Sequence, residues 1–243
     1  MEKAQVHFER GNHFKAEGKI DKAIAEYLKA IEINPDLAEA HNNLGILHKN
    51  KGKYWTAIKE YQKAVEINPN LDQAYDNLGI VFLDMELFKE AIAAFQKTIE
   101  INPQNPRAHN NLGVAYDKKG DYERALKEYR KALKIDPSMD EAYYNLGVVY
   151  GILGMFENSI EQLKNAINLG FADAQTHFNL ALSCKNMGLI DEAMAEYRKA
   201  LKLDPNFAEA HYNLGKLLYK KKDKKAEAVA ELEEFIKLSA QQM

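Results

Sequence analysis

The sequence predicts an all-α protein, built as a solenoid of tandem helix-turn-helix hairpins. Two observations carry this prediction: small residues recur every 34 positions, and the residues between them follow the period of amphipathic helices. No segment shows the alternating pattern that is typical of a strand. The first series of small residues is Gly11, Gly45, Gly79, Gly113, Gly147, Ala181 and Gly215.

Two further series of small residues have the same spacing. They are Ala23, Ala57, Ala91, Ala125, Ser159 and Ala193, and Ala30, Ala64, Thr98, Ala132, Ala166 and Ala200. Small side chains let two helices approach closely, so we expect each repeat to be one hairpin. The series define seven repeats within a single domain over residues 1–243, with bounds 4–37, 38–71, 72–105, 106–139, 140–173, 174–207 and 208–241.

Within the fourth repeat, a helical stripe runs from Ala108 to Tyr116 and ends at Gly120. A second stripe follows from Tyr122 to Leu133. Both have a period of about 3.6 residues, and a glycine turn joins them. Read in the same way, the seven repeats predict fourteen helices.

The junctions between repeats carry helix-start signals. Asn105 followed by Pro106 predicts a helix with proline at its first position, where no amide donor is needed. Elsewhere a capping box fits at Asp36-x-x-Glu39, Asn70-x-x-Gln73, Ser138-x-x-Glu141 and Asn206-x-x-Glu209.

The composition is that of a folded protein without a basic excess. Of 243 residues, 46% are hydrophobic and 28% charged, and the formal net charge is −3, so we expect no nucleic-acid partner. No apolar run approaches the length of a membrane span, so we expect no integral membrane contact. Cys184 is the one cysteine, which excludes an intramolecular disulfide and favours a cytoplasmic location.

These residues closely resemble the tetratricopeptide-repeat family over essentially the whole chain. Its pattern of aromatic, Leu-Gly, Tyr, Ala, Tyr, Ala and Pro is present as Tyr143, Leu146-Gly147 and Tyr150 in one repeat, and as Ala125, Tyr129, Ala132 and Pro137 in its neighbour. The resemblance implies a right-handed superhelix. It also implies a concave groove, lined by the first helix of each hairpin, that binds an extended or helical peptide.

The resemblance places two sets of residues in that groove. The sixth repeat position forms a ladder, Asn43, Asn77, Asn111, Asn145, Asn179 and Asn213, and the fifth position adds Tyr144, Phe178 and Tyr212. A carboxamide can pair with a peptide amide whatever the peptide sequence. The alternatives are that the asparagines serve the hairpins themselves and that the aromatic rings merely stack on one another.

We therefore predict a scaffold or adaptor that binds another protein or peptide and is not an enzyme. One alternative is a self-assembling protein, a homo-oligomer formed through an apolar end at Leu232, Phe235 and Leu238. Another is the targeting arm of an enzyme such as a glycosyltransferase.

Catalytic, metal and cofactor sites are not expected. Five histidines occupy the same repeat position, roughly one helix-packing distance apart, which is too far for a shared metal. We predict that they replace aromatic core residues and that Cys184 is also a core residue. These histidines are His7, His41, His109, His177 and His211.

Overall fold

The computed structural model describes residues 2–241, and within them the chain forms fourteen α-helices and one short 3₁₀ helix, with no strand. The prediction of an all-α fold with fourteen helices is confirmed. The residues divide into two compact units, Met1–Arg124 and Ala125–Met243. The division falls inside the eighth helix.

The first unit contains three complete hairpins, in which each odd-numbered helix packs on the next even-numbered one. It also contains the seventh helix and the start of the eighth. The helices are α1 (Glu2–Ala16), α2 (Ile20–Ile33), α3 (Ala38–Asn50), α4 (Tyr54–Ile67), α5 (Asp72–Asp84), α6 (Phe88–Ile101), α7 (Pro106–Lys118) and α8 (Tyr122–Ile135).

The second unit contains the rest of α8 and three more hairpins that pair in the same way. The 3₁₀ helix (Lys222–Lys224) precedes the last helix, where the seventh repeat has one inserted residue. The helices are α9 (Asp140–Ile152), α10 (Phe156–Leu169), α11 (Ala174–Asn186), α12 (Ile190–Leu203), α13 (Ala208–Tyr219) and α14 (Lys225–Ala240).

The glycine series marks where the two helices of a hairpin touch. A Cβ atom added to Gly45 would lie 2.5 Å from Cε1 of Tyr61, and one added to Gly79 would lie 2.5 Å from Cε1 of Phe95. Both aromatic side chains are completely buried. Each ring therefore fills the space that the missing side chain leaves, and the two helices approach closely, as the sequence predicted.

One hairpin turn departs from the glycine pattern. The turns of the other early repeats use glycine with positive φ, as at Gly52 and Gly120, but Glu86 adopts φ 58° in the third repeat. A left-handed conformation costs a non-glycine residue roughly 1–2 kcal/mol. The third repeat tolerates this strain and keeps the same turn.

The predicted capping boxes are wrong. The helices begin one residue later than the boxes require, and their N-cap residues, Leu37, Leu71, Met139 and Phe207, make no side-chain cap. The polar residues upstream instead form tight turns, as where Oδ1 of Asp136 accepts from the amide of Ser138 at 2.9 Å. The prediction for Asn105 is confirmed, since its Oδ1 caps α7 through the amide of Ala108.

Candidate functional site

The ladder asparagines lie on the first helix of each hairpin, and all six are half-buried. We call the surface of each unit that carries them, together with the neighbouring fifth, ninth, twelfth and thirteenth repeat positions, the ladder face. In the first unit, Nδ2 of Asn77 donates to Oδ1 of Asn42 at 2.9 Å, and Nδ2 of Asn111 donates to Oδ1 of Asp76 at 3.2 Å. Each bond reaches back to the fifth position of the preceding repeat.

Asn43 differs because the preceding fifth position is Phe8, which offers no acceptor. Its Nδ2 donates instead to Oδ1 of Asn12 at 2.9 Å, and Tyr27 donates its hydroxyl to the same oxygen at 2.7 Å. The oxygen of Asn43 accepts from Nζ of Lys15 at 3.1 Å. Both ends of this carboxamide are therefore engaged within the protein.

The second unit follows the same rule. Nδ2 of Asn179 donates to the hydroxyl of Tyr144 at 3.3 Å. Asn213 is preceded by Phe178, and its Nδ2 turns back to the carbonyl oxygen of Glu209 at 2.8 Å. Asn145 is also engaged with the protein. Within each unit, the ladder thus links successive hairpins at Asn77, Asn111 and Asn179, where the preceding repeat offers an acceptor.

The oxygen atoms of the ladder are used less uniformly than the nitrogens. Oδ1 of Asn179 accepts from Nε2 of Gln175, and Oδ1 of Asn213 accepts from Nζ of Lys185. Among residues 2–241, Oδ1 of Asn77 and Oδ1 of Asn111 accept no hydrogen bond. Two ladder oxygens in the first unit thus remain available as acceptors.

The aromatic residues of the ladder face do not stack on one another. Tyr144 packs on Phe171 with a centroid distance of 4.9 Å, and Phe178 packs on Phe207 at 4.7 Å. The ring of Tyr212 lies 5.0 Å from that of Phe235, and Tyr212 is 39% exposed. A second ring therefore holds each of them in place.

Four charged groups of the ladder face are partly removed from water. Burial raises the pKa of Asp76, and the hydrogen bond from Asn111 opposes that rise. Burial also raises the pKa of Asp117 and lowers the pKa of Lys15 and of Lys185. Perturbed groups of this kind are more frequent at functional sites than elsewhere.

A pocket of about 140 Å³ opens on the ladder face of the second unit, between the fifth and sixth repeats. Gly151 lies on its wall, beside Ser159 and Ser183, whose hydroxyl oxygens are 2.8 Å apart. The sequence alone did not predict this pocket. The visible signals were two departures in one repeat: glycine at the twelfth position, and serine where other repeats have alanine.

The histidines do more than replace aromatic core residues. His41, His109 and His177 are buried, as predicted, but Nδ1 of His41 lies 2.7 Å from Oε2 of Glu60 on the second helix of the hairpin. Its Nε2 lies 3.1 Å from the carbonyl oxygen of Pro35. Equivalent carboxylate contacts are His7–Glu26 at 2.6 Å, His177–Glu196 at 2.7 Å and His211–Glu231 at 2.5 Å.

Cys184 lies in the hydrophobic core of the second unit. Cys184 is 1% exposed, and burial raises the pKa of its thiol to about 11. In residues 2–241 no three His, Cys, Asp or Glu side chains cluster in a way that could hold a metal ion. Over the same residues, no helix has the length and apolarity needed to cross a membrane.

The three residues predicted to form an apolar end are largely packed inside the last hairpin. Leu238 is 6% exposed, and Leu232 and Phe235 are half-buried. Cγ of Leu232 lies 2.8 Å from the position that a Cβ of Gly215 would occupy. The exposed large apolar side chains of α14 are instead Val229, at 49%, and Ile236, at 64%.

Hairpins of two helices, repeated in register and joined by short turns, define a class of tandem helical-repeat proteins. Family models match most of the chain. One described as "TPR repeat" matches residues 11–52, 87–120, 118–154 and 184–222, and two described as "Tetratricopeptide repeat" match residues 38–71, 140–169 and 208–242. The chain belongs to the tetratricopeptide-repeat family. No curated protein sequence matches it significantly.

Several solved structures share the fold. PilF of Pseudomonas aeruginosa is 18% identical with a TM-score of 0.79, and the match covers 88% of this chain and 98% of that one. A tetratricopeptide repeat protein from Parabacteroides merdae is 17% identical with a TM-score of 0.72, covering 98% and 94%. YrrB, described as a TPR protein with an unusual peptide-binding site, is 23% identical with a TM-score of 0.64, covering 76% and 95%.

Proposed function

We propose that the chain is a scaffold or adaptor that binds an extended polypeptide along its ladder face. The observation that carries this proposal is the state of Asn77 and Asn111. Their nitrogens are fixed by hydrogen bonds to the preceding repeat, and their oxygens accept none within residues 2–241. Two oriented acceptors on successive hairpins suit the amide groups of an extended chain. YrrB, which shares the fold, is described as having a peptide-binding site.

In the second unit, the proposal assigns side-chain contacts to Tyr144, Phe178 and Tyr212. Each ring is supported by another, so little conformational freedom would be lost on binding. The proposal includes no catalytic step for this chain. It places the protein in the cytoplasm, a location that a free, buried Cys184 suits.

The test starts with capture of polypeptides from an extract of the source cells on immobilised wild-type protein. A peptide from the captured partner is then titrated against wild type and Asn77→Ala/Asn111→Ala by fluorescence anisotropy. Each lost hydrogen bond is worth about 1 kcal/mol, so we expect affinity to fall about ten- to thirty-fold.

The matched control is Asn70→Ala/Asn206→Ala, which removes two exposed asparagines from the junctions between repeats. It should bind like wild type. Equal affinity of the ladder variant and wild type, with helicity intact by circular dichroism, would reject the ladder as the binding site.

A second candidate function is self-assembly. The exposure of Val229 and Ile236 on the last helix favours it, because two large apolar side chains face water on one helix. Leu232 and Phe235, half-buried in the same helix, would extend that contact surface.

A further inference from the structure

We propose that the pocket at Gly151 is a specificity pocket that takes one uncharged apolar side chain, such as leucine, isoleucine, methionine or phenylalanine, from the bound polypeptide. This inference rests on the proposed function and adds a sequence requirement to it. The asparagine ladder can hold any backbone, whereas a side-chain pocket selects among sequences.

The size and lining of the pocket define what fits. Its volume of about 140 Å³ is close to that of an engineered apolar cavity of about 150 Å³ that binds benzene. The large apolar side chains on its wall are Val148, Ile152, Phe156 and Leu182. None of the lining residues is charged, so a charged side chain would be desolvated there without a partner.

The pocket exists because the fifth repeat lacks a side chain that other repeats have. At the equivalent position Lys15 reaches Asn43 and Lys185 reaches Asn213, with Nζ–Oδ1 distances of 3.1 and 3.0 Å. The same separation of 28 residues joins Gly151 to Asn179. With glycine at that position, no lysine side chain covers Asn179, and the space remains open.

Ser159 belongs to the same arrangement. A Cβ on Gly151 would lie 3.3 Å from Oγ of Ser159, which is tighter than an ordinary contact. In the repeats that carry lysine at this position, the place of Ser159 is taken by Ala23, Ala57 and Ala193. Ser159 and Ser183 hydrogen-bond to each other, so this part of the wall does not require a polar ligand.

Asn179 places a backbone contact next to the pocket. It lines the pocket, and its Nδ2 is held by the hydroxyl of Tyr144. Its Oδ1 accepts from the exposed Gln175, a bond that a peptide amide can replace. The fifth and sixth repeats can therefore contact one peptide group and one side chain together.

The experiment uses pools of short synthetic peptides that share one fixed central residue and are randomised elsewhere. Binding of each pool to the full chain is measured by fluorescence anisotropy. For wild type we expect pools with central Leu, Ile, Met or Phe to bind about ten-fold more tightly than pools with central Ala, Ser or Lys.

Gly151→Lys/Ser159→Ala rebuilds the arrangement of the sixth repeat and closes the pocket. We expect this variant to lose the central-residue preference while it retains binding that does not depend on that residue. Ser159→Ala alone is the matched control and should keep the preference. Circular dichroism establishes that the variants are folded.

A second variant does not require the pocket to be filled. Ile152 is 55% exposed, and Ile152→Lys places a cation at the wall, so the preferred central residue should change from Leu to Glu. If wild type shows no central-residue preference, or if the closed variant keeps it, the pocket proposal is overturned while backbone binding stands. If wild type binds no pool at all, the pocket proposal and the proposed function both fail.

Discussion

At the scale of single residues, two ladder asparagines use one polar atom for hydrogen bonding within the fold and leave the other unbonded. Asn77 and Asn111 use the nitrogen to join neighbouring hairpins and leave the oxygen unbonded within residues 2–241. The two interpretations of the ladder, structural support and peptide contact, are therefore compatible. The partner of each ladder nitrogen depends on the residue 35 positions earlier. Asn42, Asp76 and Tyr144 offer an acceptor there and are bonded. Phe8 and Phe178 offer none, and the following ladder nitrogens bond elsewhere.

One prediction at this scale concerns the carboxyl of Glu26. Hydrogen bonds from Lys29 and then His7 lower its pKa from 4.5 to about 2. The folded protein thus stabilises the ionised form of Glu26 more than the unfolded chain does. The stability it contributes is complete above about pH 4.5 and is lost as the pH falls towards about 2.

We therefore expect wild type to lose free energy of unfolding between about pH 5 and about pH 3, and Glu26→Gln to lose on the order of 1 kcal/mol less. Urea denaturation at the two pH values measures this difference. Glu39→Gln, which changes an exposed carboxylate with no ion pair within residues 2–241, is the control and should behave like wild type. Identical pH dependence in Glu26→Gln and wild type would contradict the assignment.

At the scale of the element, four hairpins have a polar link from the histidine at the fourth repeat position to a glutamate on the second helix, namely those of His7, His41, His177 and His211. The ring of His41 faces a carboxylate through Nδ1 and a carbonyl oxygen through Nε2. Two repeats have tyrosine at the fourth position, Tyr75 and Tyr143. At the position equivalent to Glu60 these repeats have Ala94 and Gln162.

A double-mutant cycle tests that link. We expect His41→Tyr alone and Glu60→Ala alone each to destabilise the protein, since each leaves a polar group without its partner. The double variant reproduces the pair Tyr75 and Ala94 of the third repeat, so it should be about 1 kcal/mol more stable than the sum of the single changes predicts. Urea unfolding at constant pH gives the four free energies. Strict additivity would show that the contact contributes nothing.

The hairpins could be predicted from sequence, but the link within them could not be predicted from the position of the histidine alone. Repeat spacing and helical period indicate where two helices of a hairpin approach closely, as the contact of Gly45 with Tyr61 shows. The partner of His41 lies 19 residues away on the other helix. Its identification requires the relative rotation of two packed helices. The prediction of capping boxes failed for a different, local reason. Asparagine and aspartate side chains form turns as readily as helix caps.

At the scale of the whole molecule, the hairpins within each of the two units contact mainly their neighbours. The all-α fold and the fourteen helices of residues 2–241 could be predicted from the sequence. The exposed surface of the last helix could not be predicted from the sequence, because exposure depends on the orientation of α14 about its axis relative to α13. The structure puts Leu238 inside and Val229 and Ile236 outside.

Self-association through α14 makes a prediction at this scale. The mass measured by analytical ultracentrifugation should rise with concentration for wild type, because apolar surface is buried between copies. Val229→Lys/Ile236→Lys should remove that rise. The control is Trp55→Lys, which changes an apolar side chain that is 66% exposed on α4. Its measured mass should still rise with concentration. A wild-type mass that stays monomeric at all concentrations would exclude self-association.

Gly151 also has an evolutionary consequence. A chain made by duplicating one hairpin begins with identical binding surfaces, and its copies diverge by single codons. The residues that hold a hairpin together, such as the glycine-aromatic contacts, are distinct from those at the twelfth repeat position. A mutation that shortens a side chain there adds a pocket, and one that lengthens it removes a pocket, while the hairpin remains intact. Under the proposed function, partner choice can change from one paralogue to the next faster than the fold does.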